Sequence, residues 1–278
     1  NILISGYVQQ GQCQETLNCF EDMQRESLFP PDAITYICLL KACGGTRSIN
    51  KGIQIHEEIL HEGLLEKDIA LSNALVDMYV KCGFLAKAQQ VLERLPIRNV
   101  VSWNALIAGY VEHGLADKAM NCFEQMQSEG LFPDIVTFIS ILKACGSARA
   151  LQKGRQCHEI MLTCNLLEKD IILQNALIDM YVKCGLLTKA LEIFNEIPTR
   201  SIVSWSTLIA GYTQLGECRE ALNYFEQMLS EGFCPDVITF IFMLRTCGNM
   251  MAIGKGKKIH ASIVSSGLLE KDIVLATA

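Results

Sequence analysis

A histidine with a glutamate two positions on, His56-Glu57-Glu58, has the residue types of half a zinc deaminase site. There the imidazole holds the metal and the carboxylate carries the proton. The other half needs a CxxC pair, and none of the thirteen cysteines has that spacing. His56 returns as His158 and His260, followed there by Glu-Ile and Ala-Ser, and steps of 102 residues keep the three from meeting on one metal. Read as HEEILH, the same stretch has its second histidine one residue too far along for a zincin helix. Gly254-Lys255-Gly256 lacks both the preceding glycine spacing and the following Ser or Thr of a phosphate loop. No nucleophile is paired with a base. The chain is read as carrying no catalytic site, no metal and no cofactor.

What does recur is the interval. LLEKDI stands at Leu64, Leu166 and Leu268, and NALVDMYVKCG from Asn73 returns as NALIDMYVKCG from Asn175, each at a step of 102 residues. SWNALIAGY from Ser102 returns as SWSTLIAGY from Ser204, and Cys43, Cys145 and Cys247 keep the same step. Each unit divides again: 100–134 is a motif of 35 residues, 135–170 one of 36 and 171–201 one of 31. In the first, Trp103, Leu106, Ile107 and Tyr110 fall at i, i+3, i+4 and i+7, and after Gly114 so do Ala119, Cys122, Phe123 and Met126. Two amphipathic helices with a short turn follow from this. Gly130 suits the C-terminal cap of the second helix, and Pro133 bars its continuation. One hairpin cannot bury its own apolar faces, so neighbours must stack into an all-α solenoid.

Composition narrows the partners. Half of the 278 residues are apolar, yet no stretch is long enough to span a bilayer, and the N-terminus has no signal-peptide pattern. The cysteines, odd in number, fit reduced thiols packed as small apolar residues, which implies a reducing compartment. A net charge of -6 argues mildly against a polyanionic partner. A basic stripe on one face of an acidic molecule would answer that objection.

The alternation of 35-, 36- and 31-residue motifs resembles the P, L and S motifs of plant pentatricopeptide repeat proteins, of the organellar RNA-binding and editing-factor type. SWNALIAGY, FPDIVTF, LKACG and DMYVKCG are similar to that family's signatures over essentially the whole chain. The resemblance implies a right-handed superhelix and divides the chain into 1–32 (P, N-truncated), 33–68 (L), 69–99 (S), 100–134 (P), 135–170 (L), 171–201 (S), 202–236 (P), 237–272 (L) and 273–278 (the start of an S motif). It further implies a fragment of a longer protein of mitochondria or chloroplasts, where many members carry a C-terminal cytidine deaminase domain. Single-stranded RNA, about one base per repeat, is the implied ligand. Other processing proteins are possible partners and a monomer is expected. The competing interpretation, a scaffold for protein partners, predicts varied residues in place of polar pairs at fixed positions.

In this family the fifth and last residues of a motif read the base. Here the pairs are Asn1 with Asp32, Asn73 with Asn99, Asn104 with Asp134, Asn175 with Ser201 and Ser206 with Asp236. An ionised Asp only accepts hydrogen bonds, so it favours uracil and guanine, whose ring N–H donates. Asn or Ser in its place can donate to cytosine or adenine. At the fifth position Asn reaches a pyrimidine edge, whereas Ser leaves room for a purine. The expected site is 5′-U-x-Y-U-x-C-G-x-3′, with x any base and Y a pyrimidine. The L motifs place Ile37, Ile139 and Ile241 at the fifth position, where no hydrogen bond can form. The second residues, Ile34, Ala70, Val101, Val136, Ile172, Val203 and Ile238, are implied to pack against base faces, and all but Ala70 are stiff and β-branched. Lys81 and Lys183 are the expected phosphate contacts. Lys41, Lys143 and Arg245 form another matched set, as do Lys51, Lys153 and Lys255.

Overall fold

The computed structural model describes residues 2–25, 31–65, 68–167 and 170–265. Sixteen helices and no strand are found among the described residues. They come in hairpins: α1 (Ile2–Gln9) with α2 (Cys13–Arg25), α3 (Ala33–Thr46) with α4 (Ile49–His61), α5 (Ile69–Lys81) with α6 (Leu85–Arg94), and α7 (Val100–Glu112) with α8 (Ala116–Ser128). Then follow α9 (Ile135–Ala148) with α10 (Leu151–Thr163), α11 (Ile171–Lys183) with α12 (Leu187–Glu196), α13 (Ile202–Gln214) with α14 (Cys218–Ser230), and α15 (Val237–Asn249) with α16 (Ile253–Ser265). The chain falls into two compact units, 1–141 and 142–278, whose boundary lies within α9.

Each unit is a stack with two layers. In the first, α1, α3, α5 and α7 pack one on the next, each second helix packs on its own partner, and α2, α4 and α6 also pack on the following first helix. In the second unit α11, α13 and α15 repeat this arrangement, with α12 and α14 bridging forward. The all-α solenoid expected from periodicity is therefore present in both units. Trp103, Leu106, Ile107, Tyr110, Ala119, Cys122, Phe123 and Met126 are all buried. Burial of each large apolar side chain is worth about 1.5–3 kcal/mol, which no isolated hairpin could collect.

Close approach of neighbouring first helices depends on two glycines. A Cβ on Gly109 of α7 would stand 2.5 Å from Val80 Cγ1 of α5, and one on Gly211 would stand 2.5 Å from Val182 Cγ1. Helix α8 ends as expected at Gly130, whose φ of 76° is left-handed. Its N–H bonds Gln127 O and that of Leu131 bonds Met126 O, which uses two carbonyls of the last turn.

Candidate nucleic-acid interface

First helices and second helices begin differently. Asp32, Asp68, Asn99, Asp170, Ser201 and Asp236 are N-caps of α3, α5, α7, α11, α13 and α15, and each accepts a backbone N–H from the first turn. Asp134 does the same for α9, accepting the Thr137 N–H at 2.9 Å. Such a side chain satisfies one of the donors that every helix start leaves unpaired. Second helices start at Ser48, Phe84, Leu115, Ala150, Leu186 and Glu217, none of which makes a side-chain cap. Polar residues at the last motif position thus have a structural task before any ligand is considered.

Two of the expected pairs go beyond capping. Asn104 Nδ2 donates to Asp134 Oδ1 at 2.9 Å, joining the fifth and last residues of one motif. The Thr137 hydroxyl donates to Asn104 Oδ1 at 2.6 Å and lies 2.9 Å from Asp134 Oδ1. Ser206 Oγ lies 3.3 Å from Asp236 Oδ1 and 2.6 Å from Thr239 Oγ1. Thr239 itself bonds Asp236 Oδ1 twice, through its N–H at 2.8 Å and its hydroxyl at 2.6 Å. All the bonds from these partners land on Oδ1, leaving Oδ2 of each carboxylate outside the network. Burial raises the pKa of Asp134, but the Thr137 N–H, the Asn104 amide and the Thr137 hydroxyl more than offset it, so the net shift is downward. Asp32 is shifted downward as well, first by the Thr35 hydroxyl and then by its N–H.

The other pairs are not joined in this way. No hydrogen bond links Asn73 to Asn99 or Asn175 to Ser201 among the described residues. Asn99 and Ser201 instead form reciprocal capping boxes with Ser102 and Ser204. Asn175 Oδ1 is buried without a partner. Asn1, the expected mate of Asp32, lies outside the described residues, as does the short motif 273–278. Ile37, Ile139 and Ile241 are half-buried in the first two turns of their helices.

Second-position residues stand out by exposure. Ile34, Val101, Val136, Ile172, Val203 and Ile238 are 62, 59, 55, 62, 56 and 58% exposed, and Ala70 is exposed too. A β-branched hydrocarbon in water at the first turn of helix after helix gains nothing for the fold. In the first unit, Val101 shares a helix face with Asn104 at i+3, and Val136 lies between Asp134 and Thr137 in sequence.

Lys81 and Lys183 are held by their own helices. Their Nζ atoms sit 2.7 Å from Asp77 Oδ2 and 2.6 Å from Asp179 Oδ2. Their stems lie over Gly44 and Gly146, where a Cβ would come 3.1 Å from each Cδ. Lys51 pairs with Glu21, and Lys255 with Glu226 at 3.0 Å, linking second helices. Lys41, Lys143 and Arg245 are exposed and form no ion pair among the described residues. Each stands seven residues after Ile34, Val136 or Ile238, on the same helix face.

The recurrent histidines pack. His56 Nδ1 meets Tyr79 Oη at 2.8 Å, and His158 Nδ1 meets Tyr181 Oη at 2.9 Å, all four rings being buried. Burial, with Lys87 and Arg94 nearby, pushes the His56 pKa down to about 4. His260 is exposed. No group of three metal-ligating side chains occurs among the described residues. All thirteen cysteines are free thiols, but only six are buried, fewer than apolar packing led one to expect. Cys164 caps the end of α10 and Cys234 lies in a loop, which is why both are exposed.

The sequence reading missed Thr137 and Thr239. Their signal was present as Asp-x-x-Thr, the capping-box spacing, in DIVTF and DVITF.

The PPR repeat family matches residues 1–45, 98–147 and 200–249, and the PPR repeat matches 71–100 and 175–202. The pentatricopeptide repeat-containing protein At3g09040, mitochondrial, of Arabidopsis thaliana is 35% identical over 267 residues, covering 96% of this chain and 26% of that protein. At1g11290, chloroplastic, of the same plant is 34% identical over 278 residues, covering 100% of this chain and 34% of its own. The chain thus spans about a quarter to a third of the length of these relatives. Among solved structures, the pentatricopeptide repeat protein PPR10 in complex with an 18-nt psaJ RNA element superposes with a TM-score of 0.80 at 21% identity, covering 96% of this chain and 40% of that one. At that identity the likeness speaks for the fold. Helical hairpins stacked in both units, matched along the chain by the same repeat, lead to one conclusion: this chain belongs to the pentatricopeptide repeat family.

Proposed function

We propose that the chain binds single-stranded RNA in a sequence-specific manner, at about one base per repeat. The observation that carries this reading is the placement of an exposed β-branched residue in the first turn of every described first helix from α3 on but α5, next to polar pairs that join the fifth and last residues of a motif. Apolar side chains left in water call for a flat apolar ligand, and nucleobases with polar edges fit both features. PPR10, whose fold this chain shares, is described in complex with RNA.

The motif division at 33, 69, 100, 135, 171, 202 and 237 is supported by the helix starts Ala33, Ile69, Val100, Ile135, Ile171, Ile202 and Val237. In this reading the second residues separate bases and the pairs read edges. At Asn104 and Asp134, an amide N–H with a carboxylate oxygen matches the O4 and N3–H of uracil. At Ser206 and Asp236, two acceptors match the N1–H and N2–H of guanine. Asn73 with Asn99 reads a pyrimidine and Asn175 with Ser201 reads cytosine, giving 5′-U-x-Y-U-x-C-G-x-3′. Lys41, Lys143 and Arg245 are better placed for phosphate than Lys81 and Lys183, which are already paired with aspartates. We further propose an organellar protein, in mitochondria or chloroplasts as the relatives' names state, in which this array selects the transcript for editing or processing.

Electrophoretic mobility shifts with 5′-UACUACGA-3′ and a scrambled octamer, each over a salt series, test the reading. Tighter binding of the first, weakening as salt rises, is expected. Equal binding of both octamers would remove sequence-specific RNA recognition, and binding of neither would return the surface to a protein partner.

A further inference from the structure

The distances around Asn104 favour one arrangement of protons. Asp134 is ionised and only accepts, so the amide corner 2.9 Å from its Oδ1 must be Nδ2. The other corner, Oδ1, then faces the Thr137 hydroxyl at 2.6 Å. That hydroxyl has a single proton, and the Asp134 N–H already takes one of its lone pairs at 3.2 Å. Two acceptors face that proton, Asn104 Oδ1 at 2.6 Å and Asp134 Oδ1 at 2.9 Å, and the shorter contact assigns it to Asn104. The amide oxygen is thereby turned onto Thr137 with one lone pair taken, and one Nδ2–H is left over as a donor.

At the second site the same residue type produces the opposite polarity. Thr239 gives its proton to Asp236 Oδ1 at 2.6 Å. Ser206 must then give its own to Thr239 Oγ1 at 2.6 Å or to Ile202 O at 2.8 Å. In either case Ser206 Oγ keeps only lone pairs to offer. The boundaries after Asp68 and Asp170 lack the arrangement, since Leu71 and Leu173 hold the third position there, whereas at Asp32 the Thr35 N–H and hydroxyl both bond Oδ1, at 2.8 and 2.7 Å. Ser102 and Ser204 bond only within their own capping boxes.

We propose that Thr137 and Thr239 are positioning residues that set the polarity of the edge shown to the base, a donor at Asn104 and an acceptor at Ser206. With aspartate at both last positions, this polarity separates a uracil reader from a guanine reader. The inference rests on the RNA reading proposed above.

The test uses the full chain with Thr137→Val, Thr137→Ser, Thr239→Val and Asp134→Asn, and 5′-UACUACGA-3′ varied at its fourth and seventh bases. Thr137→Val should lower the preference for U at the fourth base by about three- to tenfold, the scale of one hydrogen bond. It should leave the preference for G at the seventh unchanged, and Thr137→Ser should restore U. Thr239→Val should show the reverse pattern, which keeps the idea testable if one variant folds poorly. Equal loss of affinity for every base would make the threonines structural and overturn the proposal. So would an unchanged ratio in both valine variants while Asp134→Asn shifts it, a result that leaves the RNA reading intact. If Asp134→Asn also has no effect on the ratio, both fall together.

Discussion

Asn104 and Asp134, thirty residues apart, share a hydrogen bond of 2.9 Å that ties the second turn of one first helix to the cap of the next. The same Asp134 Oδ1 receives the Thr137 N–H at 2.9 Å. Capping and pairing therefore use one atom, and a substitution that keeps the cap can change what the pair offers a ligand. Asp236→Asn is the clearest case, because Asn caps a helix about as well as Asp. It should shift the preferred seventh base from G toward A and cost about 1–3 kcal/mol on the original RNA. Thermal unfolding should stay within about 1 kcal/mol of the parent. Mobility shifts with both RNAs check the first expectation and calorimetry the second.

Val136 separates binding from stability in a different way. It is 55% exposed, so Val136→Ala removes little buried surface and should change stability by less than about 0.5 kcal/mol. If bases lie against it, the same change should weaken RNA binding by about 0.5–1 kcal/mol, the worth of the lost methyl groups. A variant that melts early with RNA affinity intact would mark Val136 as a core residue.

Gly109→Ala and Gly52→Ala test how the stack tolerates one added methyl. At Gly109 the new carbon meets the stiff, branched Val80 at 2.5 Å. At Gly52 it meets the far end of Met78, Sδ at 2.5 Å, which can swing aside. Gly109→Ala should cost about 1–3 kcal/mol, the usual scale of overpacking, and Gly52→Ala distinctly less. Urea unfolding of the two variants side by side decides it.

His56 gives the fold a pH dependence whose sign can be worked out. Its pKa falls from 6.5 in the unfolded chain to about 4 in the fold. Between those values the unfolded chain binds the extra proton, so stability drops as pH falls from about 6.5 to about 4. The drop should be on the order of 3 kcal/mol at most for this group. His56→Gln should flatten the slope over that window in a series of urea titrations.

The helices were legible because each apolar position had a reason to repeat. Trp103, Leu106, Ile107 and Tyr110 follow the period of a buried face, and all four are buried. The second-position residues were not legible from pattern alone. A valine or isoleucine at a helix start looks like core, and only coordinates show Ile34 or Ile172 standing 62% exposed. Lys81 illustrates another loss. Its recurrence as Lys183 suggested a ligand contact, while Asp77 and Asp179, one turn back in the same sequence, hold both lysines. The threonine hydroxyls were hidden because Thr137 bonds Asn104 over 33 residues, a separation that no local spacing rule covers.

Every last-position residue seen here is Asp, Asn or Ser, and every one starts a helix. These are the side chains that nucleate a first turn best, and they also differ most in what they give or take in a hydrogen bond. Under the proposed reading, the alphabet for choosing a base lies inside the alphabet for beginning a helix. An array of this kind can drift from one target to another by single replacements without passing through an unfolded intermediate.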